Sequence, residues 1–393
     1  MSPDPLPALE QAAAEATTPA ERARALNALG TELSRRGQPR RALECARQAR
    51  DIATASGDPA LDAQTRHALA RAHFYLGEFV PALGFLIEAG QIYRDVGDLA
   101  GAATAFAGVG LCQMRLGAHE DAAASLRQAL DMARQQGLKT LEINVHSSLV
   151  AVHVSIDQLD EAEHHLALGL ELVQATGDRN LQTKLLHNGA YTARKRADAE
   201  AERGHGDAAR TAWQRALDAL TQALQLARDL GNQYDEAHSL GETGAVLRRL
   251  GRLEEAGAAL QATLALSATV DSLHLRTEAV LELGELRVAQ GREAEARKLL
   301  DEAVAYARHM GARSELAMAC RALSSLVERQ GDAAGALALF KEYHAIGQAE
   351  LASSRKHAAA AGRLWLEYQD AARRAALYQQ RAESLEADRA ALS

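Results

Sequence analysis

The sequence predicts an all-α solenoid of eight helix hairpins that is followed by a long C-terminal helix. Three observations lead to this fold class: glycines recur every 40 residues, small residues recur at fixed offsets from them, and 47% of the 393 residues are apolar while 4% are aromatic. Small and unbranched side chains favour helices that pack closely together. We therefore expect one continuous repeat array rather than two or three globular domains.

The repeat interval comes from the segments that would close each hairpin. The closing residues are Gly57, Gly97, Gly137, Gly177, Gly231, Asp271 and Gly311. Successive spacings are 40 residues, except for 54 before Gly231, so the fifth unit carries 14 extra residues. The predicted units span about 21–57, 58–97, 98–137, 138–177, 178–231, 232–271, 272–311 and 312–351. Residues 1–20 form a disordered or partly helical N-terminal segment in this interpretation, and residues 352–393 form the C-terminal helix.

Three further columns support the register. A small residue is expected in each first helix, at Gly30, Ala70, Gly110, Val150, Ala190, Gly244, Gly284 and Ser324. Alanine occupies one position of every second helix, at Ala42, Ala82, Ala122, Ala162, Ala216, Ala256, Ala296 and Ala336. Small side chains are needed where two helices cross closely. Five residues before the alanine come Gly37, Gly77, Gly117, Asp157, Gly251, Gly291 and Gly331, which suit the left-handed conformation of a helix C-cap.

The motif formed by these columns resembles the tetratricopeptide repeat (TPR). The likeness rests on Leu29-Gly30, then Gly37, then Ala42-Leu43, and on their equivalents through about residue 351. It implies a right-handed superhelical TPR-like solenoid, although the units are longer than the usual 34 residues and lack the opening Trp. Such long units are similar to bacterial regulatory arrays, including peptide-sensing response regulators and the sensor halves of signalling enzymes.

The extra residues of unit five are expected to add about two turns to each of its helices, so that this hairpin, around residues 191–215, projects beyond its neighbours. The sequence keeps helical character up to Arg203 and resumes after Gly204-His205-Gly206. Two interpretations stay open. The extension is either an inert surface feature or a contact for docking or oligomerisation.

The C-terminal helix is expected to run on from the last hairpin, because no turn signal occurs near Leu351. From there a heptad pattern predicts a seam at Leu364, Tyr368, Ala371, Ala375, Tyr378, Ala382, Leu385, Arg389 and Leu392. Such a seam favours a parallel homodimer, whereas the alternative is a helix that packs on its own solenoid as a cap. The run from Phe340 to Leu385 also resembles the connecting helix that follows TPR arrays ahead of diguanylate cyclase domains.

Catalytic and metal-binding motifs are not found in the sequence. P-loop, GxSxG and dinucleotide fingerprints are absent, and Glu161, His164 and His165 have no evident third ligand partner. We therefore expect no enzymatic activity, no cofactor and no metal. A formal net charge of −8 argues against nucleic acid as a partner. Without a signal peptide or a membrane span, a cytoplasmic location is expected.

The expected binding surface is the concave face, which the first helices line in stacked hairpins. Positions three before and one after each small residue, with adjacent polar residues, supply the candidates. The predicted ligand-binding residues are Asn27, His67, Arg71, Asn144, Ser148, Lys184, His187, Asn188, Tyr191 and Arg194. Their amides, imidazoles and cations suit an extended peptide, whose backbone needs donors and acceptors. A solvated groove without a specific ligand is the alternative.

The sequence thus predicts a non-enzymatic protein- or peptide-binding scaffold with a regulatory or signalling role. The second hypothesis is the sensor half of a signalling enzyme of the diguanylate cyclase type, whose output domain is absent from these 393 residues.

Overall fold

The computed structural model describes residues 4–391, which contain seventeen α-helices and no strand. Side chains are described up to residue 371 and at 373 and 374. A short helix α1 (Pro5–Glu15) precedes the first hairpin. The hairpins are α2 (Pro19–Arg35) with α3 (Pro39–Ser56), α4 (Pro59–Tyr75) with α5 (Phe79–Asp95), α6 (Leu99–Arg115) with α7 (His119–Gln135), α8 (Lys139–Ser155) with α9 (Leu159–Thr176), α10 (Arg179–Glu202) with α11 (Gly206–Leu230), α12 (Gln233–Arg249) with α13 (Leu253–Thr269), α14 (Leu273–Ala289) with α15 (Glu293–Met310), and α16 (Arg313–Arg329) with α17 (Ala333–Ala391).

The helices group into two compact units. Unit 1 combines the chain up to Ser148 with the residues from Ser354 onward, and unit 2 comprises Leu149–Ser353. Helices α8 and α17 contribute residues to both. The predicted all-α fold of eight hairpins and a long C-terminal helix is confirmed.

Left-handed residues end the helices where the sequence predicts them. All the predicted turn glycines have positive φ, for example +70° at Gly37. Asp157 and Asp271 replace glycine in two turns and have φ angles of 59° and 50°. A left-handed residue lets the following amide bond back to the last helical turn, which stops the helix and starts the next one.

The small-residue column lies where the two helices of a hairpin touch. A Cβ atom built on Gly110 would lie 2.6 Å from Cγ of Leu126, and one on Gly244 would lie 2.5 Å from Cγ of Leu260. Ser324 fills the same position in the last hairpin, and its hydroxyl donates to the carbonyl oxygen of Ala336 at 2.8 Å. The alanines of the second helices are at most 6% exposed. Close helix crossing is thus the physical cause of both columns.

The fifth hairpin is longer than the others, as predicted. Its helices α10 and α11 have 24 and 25 residues, whereas each of the other helices from α2 to α16 has 17 or 18. The difference amounts to about two turns per helix. Trp213 is buried inside this hairpin at 8% exposure, and Arg196 forms ion pairs with Asp160 at 2.5 Å and Glu163 at 2.7 Å on α9. A docking or oligomerisation role of the extension stays a prediction.

Helix α17 continues for 59 residues without a turn, so the last hairpin helix does run on. In unit 1, Ala361 and Trp365 are buried at 0% and 6% exposure, and Trp365 stacks on Tyr368 with ring centroids 5.0 Å apart. Of the predicted seam, Leu364 and Tyr368 are partly buried and Ala371 is exposed. The seam residues whose side chains lie outside the described residues are Ala375, Tyr378, Ala382, Leu385, Arg389 and Leu392. The homodimer therefore stays a prediction.

No helix in the described part of the chain is both long enough and apolar enough to cross a membrane.

Candidate functional site

In unit 1, a pocket of about 330 Å³ opens between α2, α4 and the start of α6. Three of the predicted binding residues line it together, Asn27, His67 and Arg71, although they come from two different hairpins. We call this the N-terminal pocket. Its lining residues are Arg24, Asn27, Ala28, Thr31, Gln64, His67, Ala68, Arg71, Tyr93, Gly101 and Thr104.

A short hydrogen-bond chain organises the wall of the N-terminal pocket. The Nη1 atom of Arg71 donates to Oγ1 of Thr31 at 2.8 Å. That hydroxyl in turn donates to the backbone carbonyl of Asn27 at 2.8 Å. The side-chain oxygen Oδ1 of Asn27 is buried and has no hydrogen-bond partner among the residues that the structure describes. Because a buried acceptor without a donor is unfavourable, this atom is suited to receive a donor from a ligand.

His67 is neutral in this pocket at pH 7. Burial, and secondarily the Arg71 cation, lowers the pKa of His67 to about 4. Its ring lies edge-on to Tyr93 with centroids 6.5 Å apart. Burial also raises the pKa of Tyr93 to about 12. Both side chains therefore offer neutral hydrogen-bonding groups, because a neutral imidazole has one donor and one acceptor nitrogen.

Two further predicted residues of unit 1, Asn144 and Ser148, lie on α8 and bond to their own helix. The Nδ2 atom of Asn144 donates to the carbonyl of Thr140 at 3.0 Å. The hydroxyl of Ser148 donates to the carbonyl of Asn144 at 2.9 Å.

The other five predicted residues lie on α10 in unit 2. His187 is hydrogen-bonded through Nε2 to the hydroxyl of Ser239 at 2.8 Å and lies edge-on to His238, with ring centroids 4.9 Å apart. Burial and the neighbouring His238 lower the pKa of His187 to about 4. Burial also lowers the pKa of Lys184. The side chain of His187 thus links α10 to α12.

Tyr191 and Arg194 have different environments on the same helix. Tyr191 is 46% exposed, and Nζ of Lys195 lies 5.7 Å from the centre of its ring. Arg194 forms an ion pair with Glu242 of α12. The carbonyl of the remaining residue, Asn188, accepts a hydrogen bond from the hydroxyl of Thr192 at 2.8 Å.

A second pocket lies in unit 2 between α10, α12, α14 and α16, and we call it the acidic pocket. Three carboxylates that were not among the predicted site residues line it with Arg194, namely Glu242, Glu278 and Glu282. Burial raises the pKa of Glu278 although His274 acts in the opposite direction. The full lining is Arg194, His238, Gly241, Glu242, Ala245, Leu260, Thr263, Leu275, Glu278, Leu281, Glu282 and Met318.

A repeated column could have revealed several of the missed residues. In six of the eight units, the position six before the small residue of the first helix lines one of the two pockets, one helical turn before the predicted column. In the N-terminal pocket it supplies Arg24, Gln64 and Thr104. In the acidic pocket it supplies His238, Glu278 and Met318. In the remaining two units this column contains Asn144 and Lys184, two residues that the sequence did predict.

Among the described residues, no group of three or more His, Cys, Asp and Glu side chains could hold a metal ion. The two pockets instead offer hydrogen-bonding groups and fixed charges, which is the equipment for non-covalent recognition of a polar ligand.

Comparison with known proteins gives matches in structure but not in sequence. No protein-family model matches the chain, and no curated protein sequence does. The apo quorum sensor NprR from B. thuringiensis superposes with a TM-score of 0.63 at 14% identity, covering 86% of this chain and 91% of that one. The Rap conjugation gene regulator of plasmid pLS20, in complex with the Phr* peptide, gives 0.54 at 12% identity, with 82% and 94% covered.

A third structural neighbour is aspartyl phosphate phosphatase F from Bacillus subtilis, with a TM-score of 0.56 at 13% identity, covering 77% of this chain and 75% of that one. At such low identity these likenesses establish the fold, a TPR-like helical array. The resemblance to arrays that precede diguanylate cyclase domains receives no support from them.

Proposed function

We propose that this chain is a non-enzymatic regulatory scaffold that binds an extended peptide on the face formed by the first helices of its hairpins. The observation that carries the proposal is the convergence of Asn27, His67 and Arg71 in the N-terminal pocket, where the buried Oδ1 of Asn27 has no partner among the described residues. A peptide backbone presents an N–H and a carbonyl at almost every residue, so it can supply the missing donor.

The chemistry of both pockets supports a peptide rather than an apolar small molecule. Each pocket combines charged side chains with neutral donors and acceptors on helix faces. Extended peptides bind through repeated backbone hydrogen bonds, while individual pockets select side chains. The fold is also shared with a regulator whose structure contains a bound peptide.

Three further parts of the proposal also go beyond the fold. One structural neighbour with the same helical array is named as a phosphatase. For the present chain, in contrast, we propose binding without catalysis. A cytoplasmic location and a homodimer through the α17 seam belong to the same proposal, with the dimer resting on the heptad spacing of Leu364 and Tyr368.

The direct test is retention of synthetic peptides by the immobilised full chain. A pool of random heptapeptides is passed over the wild-type protein and over a variant with Asn27→Ala and His67→Ala, and the retained peptides are quantified by mass spectrometry. Loss of several hydrogen bonds predicts at least about 10-fold weaker retention by the variant. Arg47→Ala is the matched control, because Arg47 is exposed on the second helix α3. Retention that is absent from the wild type, or equal in the wild type and the double variant, contradicts the proposal.

A further inference from the structure

The N-terminal pocket contains a cation, Arg71, that has no acidic partner among the residues that the structure describes. Arg71 is partly buried, and the charged or titratable groups that influence it are Tyr75, Tyr93 and Arg35. None of the three is a carboxylate, and burial lowers the pKa of Arg71. Its described hydrogen bond goes to the neutral hydroxyl of Thr31. Buried guanidinium groups are ordinarily paired with an anion, so this one is equipped to receive an anion from outside the chain.

The remaining lining makes the pocket favourable for negative charge. It contains two arginines, Arg24 and Arg71, and no Asp or Glu. His67 carries no charge at pH 7 that could attract an anion away from the arginines, because burial lowers its pKa to about 4. The acidic pocket of unit 2 has the opposite character, because its lining combines one arginine with three glutamates. An anionic group would therefore be drawn to the N-terminal pocket.

Asn27 narrows the kind of anion. Its Oδ1 atom is a hydrogen-bond acceptor that is buried without a partner in the described structure, so it needs an N–H or O–H donor and would repel a lone carboxylate. The last residue of a peptide carries both groups that are required, an amide N–H and an α-carboxylate on the same Cα atom. A free acetate ion would satisfy Arg71 but not Asn27, because it has no N–H or O–H donor at pH 7.

We propose that the N-terminal pocket binds the C-terminal residue of an extended peptide, with Arg71 pairing with the terminal carboxylate and Oδ1 of Asn27 accepting the N–H of that residue. The planar guanidinium has parallel N–H groups that match the two oxygens of a carboxylate. The cavity of about 330 Å³ is large enough for a terminal residue. This inference rests on the proposed peptide-binding function and adds an end-specific subsite to it.

The experiment compares three pools of N-acetylated heptapeptides on the immobilised full chain. The first pool contains no Asp or Glu and ends in a free carboxylate, the second is the same pool with amidated C-termini, and the third is amidated but carries one Asp at a random position. We expect the first pool to be retained about 10- to 100-fold more strongly than the second, because a charge-assisted hydrogen bond is lost on amidation.

Arg71→Met should abolish the preference for the free carboxylate, whereas Arg321→Met, an exposed arginine on the first helix α16, should leave it unchanged. The unliganded Arg71→Met protein should melt at the same temperature as the wild type or higher, because it loses a buried charge that lacks a counter-ion. A lower melting temperature would assign Arg71 a structural role and overturn the inference.

Two other results would also overturn it. Equal retention of the first and second pools excludes recognition of the terminal carboxylate. Strong, Arg71-dependent retention of the third pool would mean that Arg71 binds an acidic side chain of the peptide and not its terminal carboxylate. If none of the pools is retained, the peptide-binding function itself fails, and this outcome differs from binding that is merely independent of the terminus.

Discussion

Arg94 and Tyr368 are 274 residues apart in the sequence and are hydrogen-bonded in unit 1, with the Nη2 atom of Arg94 donating to the phenol oxygen. The guanidinium carbon also lies 5.7 Å from the centre of the Tyr368 ring and 5.2 Å from that of Phe106. Cation–π contacts and a hydrogen bond thus fasten the described C-terminal part of α17 to α5 and α6. Tyr368 also belongs to the predicted dimer seam. The contact with Arg94 turns its side chain toward its own chain, whereas the seam would require it to face a partner helix.

Tyr368→Ala should release this part of α17. Loss of the aromatic and cation–π contacts predicts a local destabilisation of about 1–3 kcal/mol. Hydrogen–deuterium exchange of residues 361–371 measures it, with faster exchange expected in the variant. Leu366→Ala is the control, because Leu366 is 57% exposed on the same helix. Equal exchange in both variants would mean that the Arg94 contact does not hold the helix.

Gly110→Ala should destabilise the third hairpin. The added Cβ would lie 2.6 Å from Cγ of Leu126, so the two helices must move apart, at a cost of about 1–3 kcal/mol. Gly84→Ala is matched to it, since Gly84 is also inside a helix but a Cβ added there would have nothing within 4 Å, and this change should stabilise by about 0.5–1 kcal/mol. Urea unfolding followed by circular dichroism measures both, and the same sign of change for the two variants would refute the close-crossing explanation.

Asp157→Gly should stabilise the fourth hairpin. Asp157 has a φ of 59° in a turn where most of the repeats have glycine. A left-handed conformation costs a residue with a Cβ about 1 kcal/mol relative to glycine. Thermal unfolding should therefore shift upward in the variant. Gly37→Ala tests the reverse change at a φ of +70° with open space around it, and should lower stability by a similar amount. A neutral result at both positions would contradict the argument from backbone conformation.

The hairpins could be predicted from the sequence because each column has one local cause that recurs in every unit. A left-handed turn needs glycine or a residue that tolerates positive φ, such as Asp157, and a close helix crossing needs a small residue such as Gly110. Both requirements are the same in every unit. The pairing of Arg94 with Tyr368 has no such signal, since Tyr368 lies in α17 beyond the last repeat, where no column predicts its partner. The acidic pocket falls between these cases. Glu242 and Glu282 both stand two residues before the small glycine of their units. This repeat is visible in the sequence, but only the structure shows that both residues line one pocket.

Unit 2 should lose stability in acid because of His187. In the folded chain its pKa is about 4, since burial and His238 disfavour the charged ring, whereas the ordinary value is 6.5. The unfolded chain therefore binds the proton more readily, so the contribution of His187 is complete above pH 6.5 and is lost as the pH falls toward 4. His187→Asn should reduce the drop in stability between pH 7 and 4 by about 1–2 kcal/mol. Thermal unfolding at a series of pH values checks it.

His309→Gln is the control for this pH dependence, because His309 is exposed near the end of α15. Its replacement should leave the profile unchanged. A pH profile that is identical in the wild type and the His187→Asn variant would show that the ring is protonated equally easily in the folded and unfolded chain.

Glu242→Gln should loosen the acidic pocket, because it leaves Arg194 without its ion-pair partner. The two side chains, of Arg194 and Glu242, are 26% and 25% exposed. Burial opposes both charges, but their attraction outweighs it, so the pKa of Glu242 is lowered and that of Arg194 is raised. Removing one partner of such a pair is costly, and after allowing for partial exposure we expect about 1–3 kcal/mol. Hydrogen–deuterium exchange across α10 and α12 reports the loss locally, which suits an array whose hairpins contact mainly their neighbours.

The double variant Arg194→Met with Glu242→Leu separates the charge pair from packing. If unpaired charge causes the loss, the double variant should recover most of the wild-type protection, because neither charge remains to be desolvated. Glu255→Gln is the exposed comparison: Glu255 pairs with Arg252 at 2.7 Å, and both side chains are well exposed, so its exchange should match the wild type within error. Equal loss in the single and double variants would mean that the shape of the two side chains, and not their charge, holds α10 against α12.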